Sequence, residues 1–289
     1  MVFIMPTETL DPRFAAYLTT NRDFIDAAIA QAVAGLGMPA GGQVLDMGTG
    51  AGGAIPHLAR AVGPSGHLLA IDLNPAVTGI AAEHAARAGV SDRVTIRTAD
   101  AAEVLTEGMF DAIWTSDVVW PGNFDDPAAV VARMAAAVKP RGVVALFYSN
   151  YYQATFLPGH SRLERLLRTA SEMRWRLPDT GPHHYERHLT WLLGAGLEDV
   201  TLRVFPRVGF PVDADPTVRP YLESAVWPEL RESAAECGAQ AGLTPAELSE
   251  VEQLLTPGSR SYVADEPGFF VVHPTILATG RRSVSIAGS

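Results

Sequence analysis

Apolar residues recur at helical spacing near the start of the chain, at Phe14, Tyr17 and Leu18 and again at Phe24, Ile25, Ala28 and Ile29. This spacing predicts one or two helices over Asp11–Gly35, ended by the Gly41-Gly42 pair. Beyond that pair the period changes. Short apolar runs at Gln43–Met47, His67–Asp72, Arg93–Thr98, Phe110–Thr115 and Val143–Tyr148 read as strands. Helical stretches at Gly53–Val62, Pro75–Ala88 and Pro127–Val138 separate most of them, with Pro75 where a first turn accepts proline. Lys139-Pro140-Arg141-Gly142 reads as a turn. Such alternation predicts a parallel sheet with helices on both faces, binding its ligand at the carboxyl ends of the strands.

After Ser149 the pattern becomes mainly helical. Helices are expected at Arg162–Trp175 and His183–Ala195, a strand at Asp199–Phe205, a helical insertion over Pro211–Gly258 and a last strand within Phe269–Thr279. Thr244 and Glu247 flank Pro245 as a capping box. The expected fold class is α/β: a doubly wound, Rossmann-like sheet with a helical cap, in a single domain. Residues 1–42 and 211–258 are expected to form the lid, 43–149 the cofactor-binding core, 150–210 helices and the sixth strand, and 259–289 the last strand and tail.

The stretch Val44–Gly53 concentrates the candidate chemistry. Its strand ends in Asp46, and Gly48, Gly50 and Gly52 follow at alternate positions. Such a loop lets a ligand press against the backbone, because no Cβ intervenes. Gly48, Gly50 and Gly53 also satisfy the dinucleotide pattern G-x-G-x-x-G. Asp72 closes the second strand, where its two oxygens suit a ribose diol. Asp100 closes the third, where it could accept from an adenine amine. Each carboxylate could instead cap the helix that follows it.

These segments, with LLAIDLNP, RVTIRTADAAEV, FDAIWTSDVVW and VKPRGVVAL in that order, resemble the motifs of class I S-adenosylmethionine-dependent methyltransferases over Gln43–Tyr148. The small-molecule branch related to ubiquinone and menaquinone methyltransferases looks most similar. The resemblance implies a seven-stranded sheet with an antiparallel last strand and S-adenosyl-L-methionine as cofactor. It implies cofactor contacts at Asp46, Gly48, Gly50, Gly52, Asp72, Leu73, Asp100, Ala101 and Asp117. A nicotinamide-dependent oxidoreductase is the rival reading, but Asp46 would repel a diphosphate and suits a sulfonium and an ammonium. A non-catalytic protein that binds the same cofactor is a second rival.

Composition narrows the partners. A net charge of −10 and a single lysine, Lys139, argue against nucleic acid. Ser116-Asp117-Val118-Val119-Trp120 also lacks the motif of adenine-N6 methyltransferases. No apolar run is long enough to span a membrane, and the first fourteen residues lack a signal-peptide pattern, so a cytoplasmic enzyme is expected. The lone Cys237 excludes an internal disulfide. The expected partner is a small organic methyl acceptor with an O, N or C nucleophile. Alanine richness and arginines in place of lysines suggest a GC-rich genome, which together with the helical cap suggests specialised metabolism. Candidate acceptor contacts are Trp120, Tyr151, Tyr152 and His188, drawn from a set that also holds Asn150, His160 and Tyr185. His183 and His184 are the candidate catalytic bases. His184 and His188 are four apart, but the cluster lacks a third ligand, so no metal is expected.

Overall fold

The computed structural model describes residues 11–210 and 212–284. The first ten residues, part of the segment read for a signal peptide, lie outside them. One helix, α1 (Pro12–Ala34), precedes the sheet, its start capped by the Asp11 side chain. Strands β1 (Gln43–Met47), β2 (His67–Asp72), β3 (Val94–Thr98), β4 (Phe110–Ser116) and β5 (Val138–Tyr148) alternate with α2 (Ile55–Val62), α3 (Pro75–Arg87), the short α4 (Ala101–Val104) and α5 (Pro127–Ala137). Then come α6 (Ser161–Arg174), α7 (His188–Gly194) and β6 (Glu198–Gly209). The cap holds α8 (Val218–Tyr221), α9 (Trp227–Ala241) and α10 (Pro245–Leu254), before β7 (Val271–Arg281).

The seven strands lie in the order β3-β2-β1-β4-β5-β7-β6. The first five pair in parallel, and β7 runs antiparallel to both β5 and β6. Order reverses at β1, so the carboxyl ends of β1 and β4 flank the switch point where sheets of this class bind ligands. The central strands bury both faces. Ala112 and Trp114 face a cluster with Phe24 and Ile29 of α1, Leu58 of α2 and Trp227 of the cap. Ile113 faces the other way, onto Val131 and Met134 of α5 and Leu192 of α7.

Three expectations shift. The turn read at 139–142 lies inside β5. Arg141 takes φ +65° and the register slips between Phe110 and Ala112, a bulge that leaves the strand paired. The Arg141 N–H donates to Arg282 and the Arg282 N–H to Gly142, which binds the bulge to the tail of β7. Strand β6 runs on to Gly209 because β7 continues opposite it to Val271. Helix α7 begins at His188, five residues later than read, because residues 181–187 form turns.

Candidate active site

The glycine loop leaves β1 with three residues in the left-handed region, Gly48 (φ +74°), Gly50 (φ +53°) and Gly52 (φ +80°). L-residues seldom hold that region, and a Cβ on Gly48 would also strike Val118. The loop is held from below. Gly48 and Thr49 both donate their N–H to the Ile71 carbonyl, at 2.9 and 2.8 Å. Thr49 Oγ1 donates to Asp46 Oδ2 at 2.6 Å. Asp72 Oδ2 accepts the Gly50 N–H at 3.0 Å, and Asp72 Oδ1 accepts that of Asn74 at 3.1 Å. Asp72 therefore ties the loop to the end of β2 and keeps lone pairs free for a diol.

A cavity of about 230 Å³ opens above the loop. Its lining includes Asp46, Gly48, Gly50, Asp72, Leu73, Asp100, Ala101 and Asp117 of the expected cofactor contacts. Gly52 is the exception: it faces Ala81 of α3 and lets helix and loop approach. Asp100 caps α4 through the Ala102 N–H at 2.7 Å as well as lining the cavity. Thus the capping and ligand readings of this carboxylate coexist. Helix α1 supplies the roof with Phe14, Tyr17, Leu18, Asn21 and Arg22. None of these was singled out as a site residue. They sit at a helical spacing that also reads as core packing.

Burial sets the charge of this site. Asp46 is buried, and desolvation pushes its pKa up to about 7, against the Thr49 hydrogen bond. Asp72 is also raised by burial, opposed by its backbone donors. Asp117 holds φ +56°, is raised by burial, and accepts the Ser149 N–H at 2.7 Å. The donor set fits S-adenosylmethionine: carboxylates for its cationic groups and diol, Arg22 for its carboxylate, apolar walls for the ring.

A second, smaller cavity of about 40 Å³ adjoins the first and shares Tyr17, Asn21 and Asp117 with it. Five tyrosines (Tyr17, Tyr148, Tyr151, Tyr152, Tyr221) and two tryptophans (Trp120, Trp175) line it. Trp120, Tyr151 and Tyr152 are thus brought together as read. Tyr221, Ala225 and Glu229 come from the cap. A wide π turn over Leu222–Val226 joins α8 to α9 there. The Glu229 carboxylate is buried and accepts from Ser171, Arg174, Trp175 and Ser233 at 2.8 to 3.0 Å, which clamps α6 to α9. Trp120 and Tyr151 line this chamber, and among the described residues the buried Trp120 Nε1 and Tyr151 hydroxyl have no hydrogen-bond partner.

The histidines fall elsewhere. His183 and His184 line neither cavity, because they lie in the turns before α7 rather than on a helix facing the sheet edge. His184 stacks on Tyr185 at 4.4 Å and accepts the Glu186 N–H. His188 lines neither cavity; it packs on Tyr148 at 5.3 Å, with its pKa pushed down to about 4 by burial. Tyr185 bonds Glu172, His160 pairs with Glu250 at 3.7 Å, and Asn150 follows β5 at φ +57°. Among the described residues, no three His, Cys, Asp or Glu side chains converge as a metal site. No helix of the described residues is long and apolar enough to cross a membrane.

The glycine loop tied to strand-end carboxylates at the switch point of this sheet defines a protein of the Rossmann-like class with a nucleoside-cofactor cavity. Comparison with known proteins identifies which. A methyltransferase-domain family model matches residues 44–142. The ubiquinone biosynthesis O-methyltransferase of Xylella fastidiosa (strain 9a5c) is 32% identical over 200 residues, covering 65% of this chain and 75% of that protein. Its counterpart in Xanthomonas axonopodis pv. citri (strain 306) is 30% identical over 171 residues, 56% of this chain and 66% of the relative, just under two thirds of its length. The solved structure of Haemonchus contortus phosphoethanolamine N-methyltransferase 2 with S-adenosyl-L-methionine shares the fold at TM-score 0.55 and 17% identity, over 94% of this chain and 57% of that one. This chain belongs to the class I S-adenosylmethionine-dependent methyltransferases, and its cofactor is S-adenosylmethionine.

Two outcomes follow. Hydrogen bonds to a charged group contribute about 1.5–3 kcal/mol each, so Asp72→Ala weakens S-adenosylhomocysteine binding at least tenfold; calorimetry giving an affinity within twofold of wild type contradicts this. Asp46 holds its proton more tightly folded than unfolded, so its contribution to stability declines as pH rises from its ordinary value of 3.8 to about 7. A cationic cofactor favours the ionised form. Its affinity therefore rises as pH increases toward and through 7, with proton release, and Asp46→Asn flattens the trend. An equally steep trend in that variant contradicts the assignment.

Proposed function

We propose that the protein transfers the methyl group of S-adenosylmethionine to an oxygen of a small aromatic molecule held between Tyr17, Trp120, Tyr151 and Tyr221. The observation that carries this reading is the pair of buried polar groups, Trp120 Nε1 and Tyr151 OH, that have no partner among the described residues and belong to residues lining an aromatic chamber that shares a wall with the cofactor cavity. An unmade buried hydrogen bond costs about 1–3 kcal/mol. An oxygenated ring repays both groups while its faces meet tyrosine and tryptophan. The chamber is small: an apolar protein cavity that takes benzene is about 150 Å³. At about 40 Å³ the chamber is smaller than that, so an acceptor no larger than a single ring is expected, and its entry requires α8 and α9 to move outward. Kinship with O-methyltransferases supports oxygen as the nucleophile.

The residues act by placement. Asn21 and Asp117 stand between the two cavities, and Glu229 fixes the Trp175 wall. When bound, the cofactor supplies an electrophilic methyl group, and alignment of a nucleophile with it contributes about 7–11 kcal/mol in well-oriented cases. The test is a panel of single-ring hydroxyaromatics, aromatic amines and saturated amines with methyl-labelled cofactor. Label is expected in hydroxyaromatics, and transfer confined to saturated amines overturns the reading. In the same assay His183→Ala and His184→Ala keep turnover within about threefold; a 100-fold loss in either returns the base to that turn.

A further inference from the structure

Two buried polar side chains meet at the edge of the acceptor chamber. Tyr221, on α8, lines the chamber, and its hydroxyl lies 3.0 Å from Nε2 of His273 on β7. Both residues are buried, His273 completely. The imidazole stands among Phe24 and Phe156, with ring centroids 5.9 and 5.7 Å away, and Tyr221 stacks on Phe24 at 4.2 Å. A hydrophobic side chain of the same size would pack there without the desolvation cost of imidazole. The polar pair therefore calls for a reason beyond packing.

We propose that Tyr221 and His273 form a proton-accepting pair for the methyl acceptor, Tyr221 taking the proton of the acceptor hydroxyl while passing its own to Nε2 of His273. This rests on the function proposed above. Tyr221 is the catalytic member because it lines the chamber, and His273 acts through it.

Three observations set the direction of the pair. Burial pushes the His273 pKa down to about 3, so the resting ring is neutral and can accept. Burial, with Tyr17 and Asp117 facing it, raises Tyr221 well above the ordinary tyrosine value, so the phenol is protonated and donates. The Ser149 backbone stands by the ring and favours its protonated form, although Nδ1 makes no well-formed hydrogen bond. The proposal places the ring proton on Nδ1, beside the Ser149 backbone, so that Nε2, 3.0 Å from the Tyr221 hydroxyl, is the nitrogen that accepts from it.

The step balances. The acceptor O–H bond breaks and an O–C bond forms to the methyl carbon, whose bonding pair to sulfur stays on sulfur. The acceptor proton moves to Tyr221 and the Tyr221 proton to His273. The enclosed site starts with one positive charge on sulfur and ends with one on imidazolium, so its net charge does not change. This offsets the low basicity of a buried imidazole. The proton returns by the reverse path when the cap opens and product leaves.

The test uses protein labelled with ¹⁵N-histidine, loaded with S-adenosylhomocysteine and titrated with phenol or anisole. His273 is expected neutral and protonated on Nδ1 from pH 5 to 8. Phenol shifts its Nε2 resonance in wild type, whereas anisole does not. Tyr221→Phe, checked for fold by its melting temperature, abolishes that shift. It weakens phenol about fivefold and leaves anisole within twofold, since the loss is one hydrogen bond and not packing. A proton on Nε2 overturns the proposal, because the ring would then donate to Tyr221. If both probes bind and His273 stays silent, the pair is overturned, the proton goes elsewhere (Asp117 being nearest the shared wall), and the chamber assignment stands. If neither probe binds, the chamber assignment fails and the pair with it.

Discussion

The hydrogen bond from the Gly50 N–H to the Asp72 carboxylate is the constraint on which this site depends. A loop of three left-handed glycines has little conformational preference of its own. Asp72 fixes it to the end of β2, and the Ile71 carbonyl fixes its first two N–H groups. Once the loop is fixed, β1 and β4 present Asp46 and Asp117 to one cavity at the switch point of the sheet. The chain that closes over it, α1, is held by packing: Phe24 and Ile29 share a core with Leu58, Trp114 and Trp227. The cofactor site is thus a rigid floor under a docked helix.

The acceptor side is built on a different principle. Its walls are aromatic rings from α1, the segment after β4, the end of β5 and the turn beyond it, the residue that follows α6, and the cap, and Glu229, with four donors, is engaged within the wall. A carboxylate so engaged holds α6 and α9 together and leaves little capacity for a ligand. The groups proposed to meet a ligand are Trp120 Nε1, Tyr151 OH and the Tyr221 oxygen. The π turn between α8 and α9 sits beside this chamber, where a helix register is easiest to shift.

The alternating half of the chain was legible because period and strand-end chemistry agree. Val44–Asp46, His67–Asp72 and Phe110–Thr115 are apolar runs ending in polar groups, and all became central strands. The antiparallel last strand followed from family resemblance, not from periodicity. His183 and His184 are read as bases because they are expected at the start of a helix facing the pocket, whereas the turns over 181–187 precede α7 and neither residue lines either cavity. Residues 1–42 are read as part of the lid from topology, but which α1 residues line the cavity, and the Tyr221–His273 pair, are not visible in the sequence, for another reason. Their partners are separated by tens of residues, and Tyr17, Asn21 and His273 look like ordinary interior or surface positions until the chain folds.

The central claim is that the transferable methyl group faces the aromatic chamber across the wall formed by Tyr17, Asn21 and Asp117. The most direct measurement is a set of nuclear Overhauser contacts from S-adenosylmethionine carrying a ¹³C-labelled methyl group, bound to the protein without acceptor. The account predicts contacts to the ring protons of Tyr17 and to an aromatic ring of the chamber, Tyr151 or Trp120. Contacts confined to Leu73 and Ala101, at the far end of the cavity, would contradict it.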